Sequence, residues 1–258
     1  MSAISIAAAL LAGCEGGGRD DTSRWTPERL YSEAKEEAAA GNYEKAVKLL
    51  ERLEGRAAGS MLAQQAEIER AYYLWKSGEK AQSLSALERF IKLHPTSPAL
   101  DYAYYLQGLV NFNDNLGLLG NLASQDLSER DQQASRDSYQ SFRQLTEQFP
   151  QSPYAEDARQ RMNYIVNSLA AYEVHVARYY LRRGAYVAAA NRAQAAVQEF
   201  QQSPAVEEAL YIMAQSYDRL GLTQLRDDAD RVLRTSSPNT KIYQNGLGNK
   251  STPWWQPW

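Results

Sequence analysis

Apolar residues in this chain recur three and four positions apart over most of its length. That is the spacing of helices with one buried face. No stretch alternates apolar and polar residues as a half-buried strand would. The longest uninterrupted pattern runs from Tyr154 to Arg183 without a Gly or Pro, with Met162, Ile165, Leu169, Tyr172, Val176 and Tyr179 along one stripe. The pattern predicts an all-α chain with one unusually long helix in its second half.

Two kinds of punctuation divide the helices. Thr26-Pro27, Ser97-Pro98, Ser152-Pro153 and Ser203-Pro204 read as helix starts. A hydroxyl can accept from the free N–H groups there, and Pro is tolerated at the first helical position. Gly41, Gly78, Gly184 and Gly221 each separate two helical patterns, where the chain must reverse. Gly41 and Gly78 stand 37 residues apart, as do Gly184 and Gly221. A helix, a Gly turn and a second helix at about 34 residues per unit resemble a tetratricopeptide repeat. Five units are predicted: Thr26 to about Ala58, about Gln64 to Pro95, Ser97 to Pro150, Ser152 to Gln201, and Ser203 to Pro238. The expected fold is an α-solenoid of about five such helix pairs over residues 26–238.

Two segments break the pattern. Residues 111–133, rich in Gly, Asn and Asp, read as a loop inserted in the third unit. Such an insertion serves a binding face or is a plain surface excursion. Residues 239–258 have no helical period and are expected to be disordered. They carry Trp254, Trp255 and Trp258, which suit a docking peptide or a membrane interface, or belong to an idle extension.

The chain has a single cysteine, Cys14, at the end of the apolar run Ala3–Ala12. That run is too short for a membrane span of about 20 residues and has the length of a signal-peptide core. Leu11-Ala12-Gly13-Cys14 resembles a bacterial lipobox. Residues 1–13 are then a signal peptide, Cys14 the acylated first residue, and 14–25 a polar tether. No Lys or Arg precedes the run, so the signal peptide is expected to begin upstream of Met1. Glu15 after the cysteine is compatible with export to the outer membrane.

Composition removes most catalytic readings. Lys and Arg number 28 against 31 Asp and Glu, so nothing suggests binding to nucleic acid. One Cys and two distant His, His94 and His175, give no metal-ligand spacing, and both His read as surface or packing residues. The pairs Glu36-Glu37, Glu207-Glu208 and Asp227-Asp228 lie on helices, where adjacent residues do not face each other. "GLGNK" lacks the spacing of a phosphate loop. The expectation is a binding scaffold and not an enzyme, with no metal and no cofactor beyond the lipid on Cys14.

Three stretches narrow the reading further. Residues 86–112, residues 128–194 with "YYLRRGAYVAAANR" inside them, and the lipobox together resemble the BamD (ComL) family of outer-membrane lipoproteins, subunits of the β-barrel assembly machinery. The resemblance spans nearly all of residues 25–235. It implies a lipid-anchored protein on the periplasmic face of the outer membrane. It implies C-terminal repeats that bind a BamA POTRA domain, other BAM lipoproteins nearby, and N-terminal repeats that receive unfolded outer-membrane proteins. Arg183, Tyr186 and Arg192 are the partner-binding residues it implies; Arg56, Tyr72 and Tyr73 are the substrate-binding ones. The family's aromatic stretch after the first repeat is replaced here by Arg56-Ala57-Ala58-Gly59-Ser60, so aromatic contacts would come from Tyr72, Tyr73 or Trp75. Arg192 has two explanations: it snorkels to solvent, or it pairs with a carboxylate of a partner or a neighbouring repeat. Another periplasmic repeat scaffold of the cell envelope is the alternative reading.

Overall fold

The first helix begins where a Thr and a Pro meet: Thr26 Oγ1 accepts from Arg29 N at 3.3 Å and Pro27 opens the helix. It is α1, Pro27–Ala39, and it is followed by α2, Tyr43–Arg56, and α3, Met61–Lys76. The computed structural model describes residues 21–112 and 129–247. Cys14 with its apolar run, residues 113–128 and the three terminal tryptophans lie outside them. Among the described residues there are eleven α-helices, one short 3-10 turn over Asp21–Arg24, and no strand.

The second half of the series is α4, Lys80–Leu93; α5, Leu100–Asn111; α6, Glu129–Gln148; α7, Ala155–Arg182; α8, Tyr186–Glu199; α9, Ala205–Arg219; α10, Thr223–Ser236; and α11, Ile242–Asn245. The fold is all-α and of tetratricopeptide type. The helices form two compact units, α1–α3 and α4–α11.

The turns follow one recipe. At Gly41 the chain takes φ 84°, and Asn42 N donates back to Glu37 O at 2.8 Å. At Gly184 φ is 75°, and Ala185 N donates to Tyr180 O at 3.0 Å. A residue with a Cβ is strained there, which is why glycine closes these helices. Gly78 and Gly221 hold the same place in their turns.

The Ser-Pro starts differ from expectation. Only Thr26-Pro27 caps its helix directly. Ser97, Ser152 and Ser203 sit a turn earlier, each accepting from the N–H two residues on, at 3.4, 3.2 and 3.3 Å. Helices α5, α7 and α9 then begin one or two residues later than predicted. Ser60 was not anticipated as a cap, yet its Oγ accepts from Ala63 N at 3.1 Å and starts α3.

In the first unit Leu30, Leu50, Leu53, Ala66 and Ala71 are fully buried between α1, α2 and α3. In the second unit a core of Phe142, Leu145, Ile165, Ala177, Ala193 and Ile212 runs through α6–α9. Small residues let these helices approach closely. Gly108 of α5 is the extreme case, since a Cβ there would fall 2.4 Å from the Phe142 ring. The 28-residue α7 is about 42 Å long at 1.5 Å per residue. Its buried stripe drifts from the predicted one: Ile165 and Leu169 are core, but towards the C-terminus Glu173 and Ala177 face inward and Tyr179 is 49% exposed.

Two boundaries need correction. The expected loop 111–133 is shorter at both ends, because Asn111 closes α5 and residues 129–133 begin α6. The tail expected to be disordered is ordered in its first part. Thr240 Oγ1 donates to Glu207 at 2.6 Å, Tyr243 Oη donates to Asp230 at 2.8 Å, and Arg234 lies 4.4 Å from the Tyr243 ring centre.

Candidate partner and substrate surfaces

In the first unit the face shared by α1 and α3 is organised by one carboxylate. Glu69 accepts from Tyr31 Oη at 2.6 Å, from Gln65 Nε2 at 3.3 Å and from Tyr73 Oη at 3.4 Å, and it pairs with Lys35 Nζ at 3.2 Å. The spacings Tyr31/Lys35 and Gln65/Glu69/Tyr73 are one helical turn each, which puts these groups in line across the interface. Burial, and then the Glu69 carboxylate, push the Tyr31 hydroxyl far above the ordinary phenol range. Burial and Glu69 act the same way on Tyr73. Burial works against the Lys35 charge, but Glu69 outweighs it and raises the ammonium. Tyr31, Tyr73 and Lys35 therefore keep one protonation state around neutral pH.

Tyr73 is buried and stacks on Tyr43 at 6.0 Å between ring centres. Its neighbour Tyr72 meets it edge-on at 5.7 Å and meets Trp75 edge-on at 6.0 Å. Tyr72 and Trp75 are half-buried.

Arg56 is not part of this aromatic group. It ends α2 at the pole where α1 begins, whereas Tyr73 meets Tyr43 at the opposite pole. Its Nη1 donates to the carbonyls of Thr22 at 2.8 Å and Trp25 at 2.6 Å, and Arg52 Nη1 donates to Thr22 Oγ1 at 2.8 Å. Arg56 thus clamps the chain ahead of α1, and the structure does not bring it together with Tyr72 and Tyr73.

In the second unit the hairpin α7–α8 carries the other candidates. Arg183 caps α7 and is exposed at the turn. Tyr186 folds its hydroxyl back over the same turn, 4.0 Å from where a Gly184 Cβ would stand. Arg192 lies about 9 Å further along α8, at 1.5 Å per residue. Its Nη1 contacts both Glu173 oxygens, at 3.4 and 3.2 Å. Glu173 is only 10% exposed at its side chain and Arg192 is 48% exposed. The carboxylate partner of Arg192 therefore belongs to its own helix pair, a case between the two expected. One nitrogen serves Glu173, in a side chain that is half in solvent. A cross-repeat pair, Arg178 to Glu208, ties α7 to α9 at 2.5 Å.

Sequence reasoning missed Glu69, Tyr31 and Glu173. A long-range partner leaves no local signal, although a charged residue on an otherwise apolar stripe, as at Glu173, is a hint. It also missed a groove of about 510 Å³ over α7, floored by Ile165, Leu169 and Phe200 and bridged by Arg136 and Glu199 at 2.8 Å.

The paired acidic residues have separate partners. Glu208 pairs with Arg178, Asp227 with Arg226 and Asp228 with Arg231. Among the described residues no group of three or more His, Cys, Asp or Glu could hold a metal ion. No described helix is long and apolar enough to cross a membrane. His94 packs its ring 4.9 Å from Phe90, and His175 is exposed.

Comparison with known proteins places these features. Residues 24–232 match the YfiO family, described as outer membrane lipoproteins. An outer membrane protein assembly factor BamD of Neisseria meningitidis serogroup A is 44% identical over 259 residues, covering 99% of this chain and 97% of that protein. The BamD of Xylella fastidiosa is 36% identical, covering 89% of this chain and 79% of its own length. That of Vibrio cholerae is 33% identical, covering 89% and 95%. The matched span takes in α1 to α9 and most of α10, with Arg56, Tyr72, Tyr73, Arg183, Tyr186 and Arg192, so the chain belongs to the YfiO family of outer-membrane lipoproteins.

Proposed function

We propose that this protein is an outer-membrane protein assembly factor, a subunit of the β-barrel assembly machinery that binds and hands over and catalyses no covalent step. The single observation that carries the reading is 44% identity to a BamD over 99% of the chain. In this reading acylated Cys14 holds the protein at the periplasmic face of the outer membrane. The α7–α10 repeats bind the POTRA region of BamA, with Arg183, Tyr186 and the remaining donors of Arg192 at the contact, and other BAM lipoproteins bind nearby. Arg suits that place because its planar fork can hold a carboxylate through two hydrogen bonds. The first unit receives unfolded outer-membrane proteins. Its contribution is the Tyr72 and Trp75 rings, on which an aromatic-rich strand can pack, with Tyr73 behind them holding the surface on Glu69.

The test is a pull-down of the lipidated protein from its own outer membrane in mild detergent. A large barrel protein with POTRA domains is expected in near-stoichiometric amount. Recovery of the chain with peptidoglycan-associated proteins and no such barrel would overturn the reading.

A further inference from the structure

At one pole of the first unit α1 begins, α2 ends and α3 begins, because the three helices run antiparallel in turn. The same pole receives the N-terminal chain. Arg52 and Arg56 fasten that chain at Thr22 and Trp25, next to Asp21. Seven residue steps separate Asp21 from Cys14, no more than about 25 Å fully extended.

The pole has an unusual surface. Trp25 is half-buried with the Arg29 guanidinium 4.2 Å from its ring centre. Met61 is 66% exposed, more than any other large apolar side chain among the described residues. Arg24, Arg29 and Arg56 have no carboxylate partner among the described residues, and Glu28 is the one acid in the first turn of α1. Elsewhere in this unit Lys35 is matched with Glu69, Lys45 with Glu37, and Arg70 with Glu51 and Glu54, while Lys76 lies 6.0 Å from the Trp75 ring centre and Lys48 is exposed. Trp, unmatched Arg and an exposed flexible apolar side chain together suit a lipid interface. The ring lies at headgroup level, the guanidinium groups meet phosphates, and the thioether enters the acyl boundary.

We infer that this pole, centred on Trp25, Arg29 and Met61, is a membrane-contact surface for anionic phospholipid that docks the first unit end-on against the bilayer. The inference rests on the reading of Cys14 as the anchor, since the short tether is what brings the pole within reach. The Arg52 and Arg56 clamp then has a role: it keeps the tether short and the pole facing the lipid.

The test separates the two ideas. The chain beginning at Cys14 is coupled through that thiol, its only one, to a maleimide lipid in vesicles containing one third phosphatidylglycerol. A control sample is coupled to a soluble maleimide. Amide hydrogen exchange is compared by segment. Residues 22–30 and 57–63 should exchange at least about threefold more slowly on vesicles, with α9 and α10 unchanged. The variant Arg24→Glu, Arg29→Glu, Met61→Glu, coupled equally and checked for helicity by circular dichroism, should lose that protection. Equal exchange of both segments on vesicles and in solution overturns the inference, as does protection that survives the triple variant. Chemical coupling makes the result independent of acylation in cells. Mass spectrometry of the Cys14 peptide from the native membrane tests the anchor by itself.

Discussion

Single residues decide how closely these helices can lie. Gly108 sits opposite a fully buried Phe142, and a Cβ at 2.4 Å from that ring has nowhere to go. Gly108→Ala would gain about 1 kcal/mol of helix propensity and lose about 1–3 kcal/mol to overpacking. With the ring enclosed on all sides, the loss should prevail. A lower urea midpoint is expected, partly restored by adding Phe142→Leu; a raised midpoint for the single variant would contradict the packing. Arg192 is the other decisive residue. Reversing its charge confronts the nearly buried Glu173 with a second carboxylate. Removing one partner of a buried pair costs about 3–5 kcal/mol, but Arg192 is half in water, so about 1–2 kcal/mol is expected for Arg192→Glu. Adding Glu173→Gln should recover that stability. If POTRA affinity stays low in the double variant, the arginine acts on the partner; if affinity returns with stability, its role is confined to its own hairpin. The sequence could mark Arg192 as a charge beside a small-residue seam. It could not identify Glu173, because a partner 19 residues away is chosen by how α7 and α8 cross.

At the level of elements, much was legible because it is local. Glycines with positive φ closed the hairpins where the sequence put them, and the 28-residue α7 follows from a span with no Gly or Pro. The Ser-Pro starts were misread by one or two residues, since a hydroxyl can bond within the lead-in turn as readily as to the first helical turn. The C-terminal segment was misread for a different reason. Residues 239–247 have no periodicity, and what orders them is tertiary: Tyr243 meets Tyr211 edge-on at 5.7 Å and donates to Asp230. Burial first, and Asp230 second, push the Tyr243 hydroxyl from 10.0 up to about 12. A folded pKa above the unfolded one means stabilisation that is complete below pH 10.0 and lost as pH rises towards about 12. The segment should therefore detach over that window. Proteolytic cleavage of residues 240–247 with a protease active at high pH should rise there, and Tyr243→Phe should be cut readily even at pH 8. Cleavage that is flat from pH 8 to 12 in both forms would contradict this account.

For the whole molecule, the helix-pair architecture and its family were legible, while the sites were legible only in outline. The α7–α8 hairpin string identified the family region and brought Arg183, Tyr186 and Arg192 onto one hairpin. The first unit rearranged the other set: Tyr72 and Tyr73 lie at one pole, and Arg56 is committed to the chain ahead of α1 at the other. Linear order could not separate them, because α2 and α3 double back on each other. What the molecule offers is two surfaces on separate compact units, an aromatic one on α3 and a cationic one on α7–α8. Under the proposed function, that division lets one chain hold a client and a partner at once. The most direct test of this account is depletion of the protein in its own organism, followed by the amount of folded, heat-modifiable barrel protein in the outer membrane. Folded barrels should fall within a few generations while unfolded precursors accumulate in the periplasm, and re-expression should reverse both. Outer-membrane barrels that stay at their normal level after the protein is gone would contradict it.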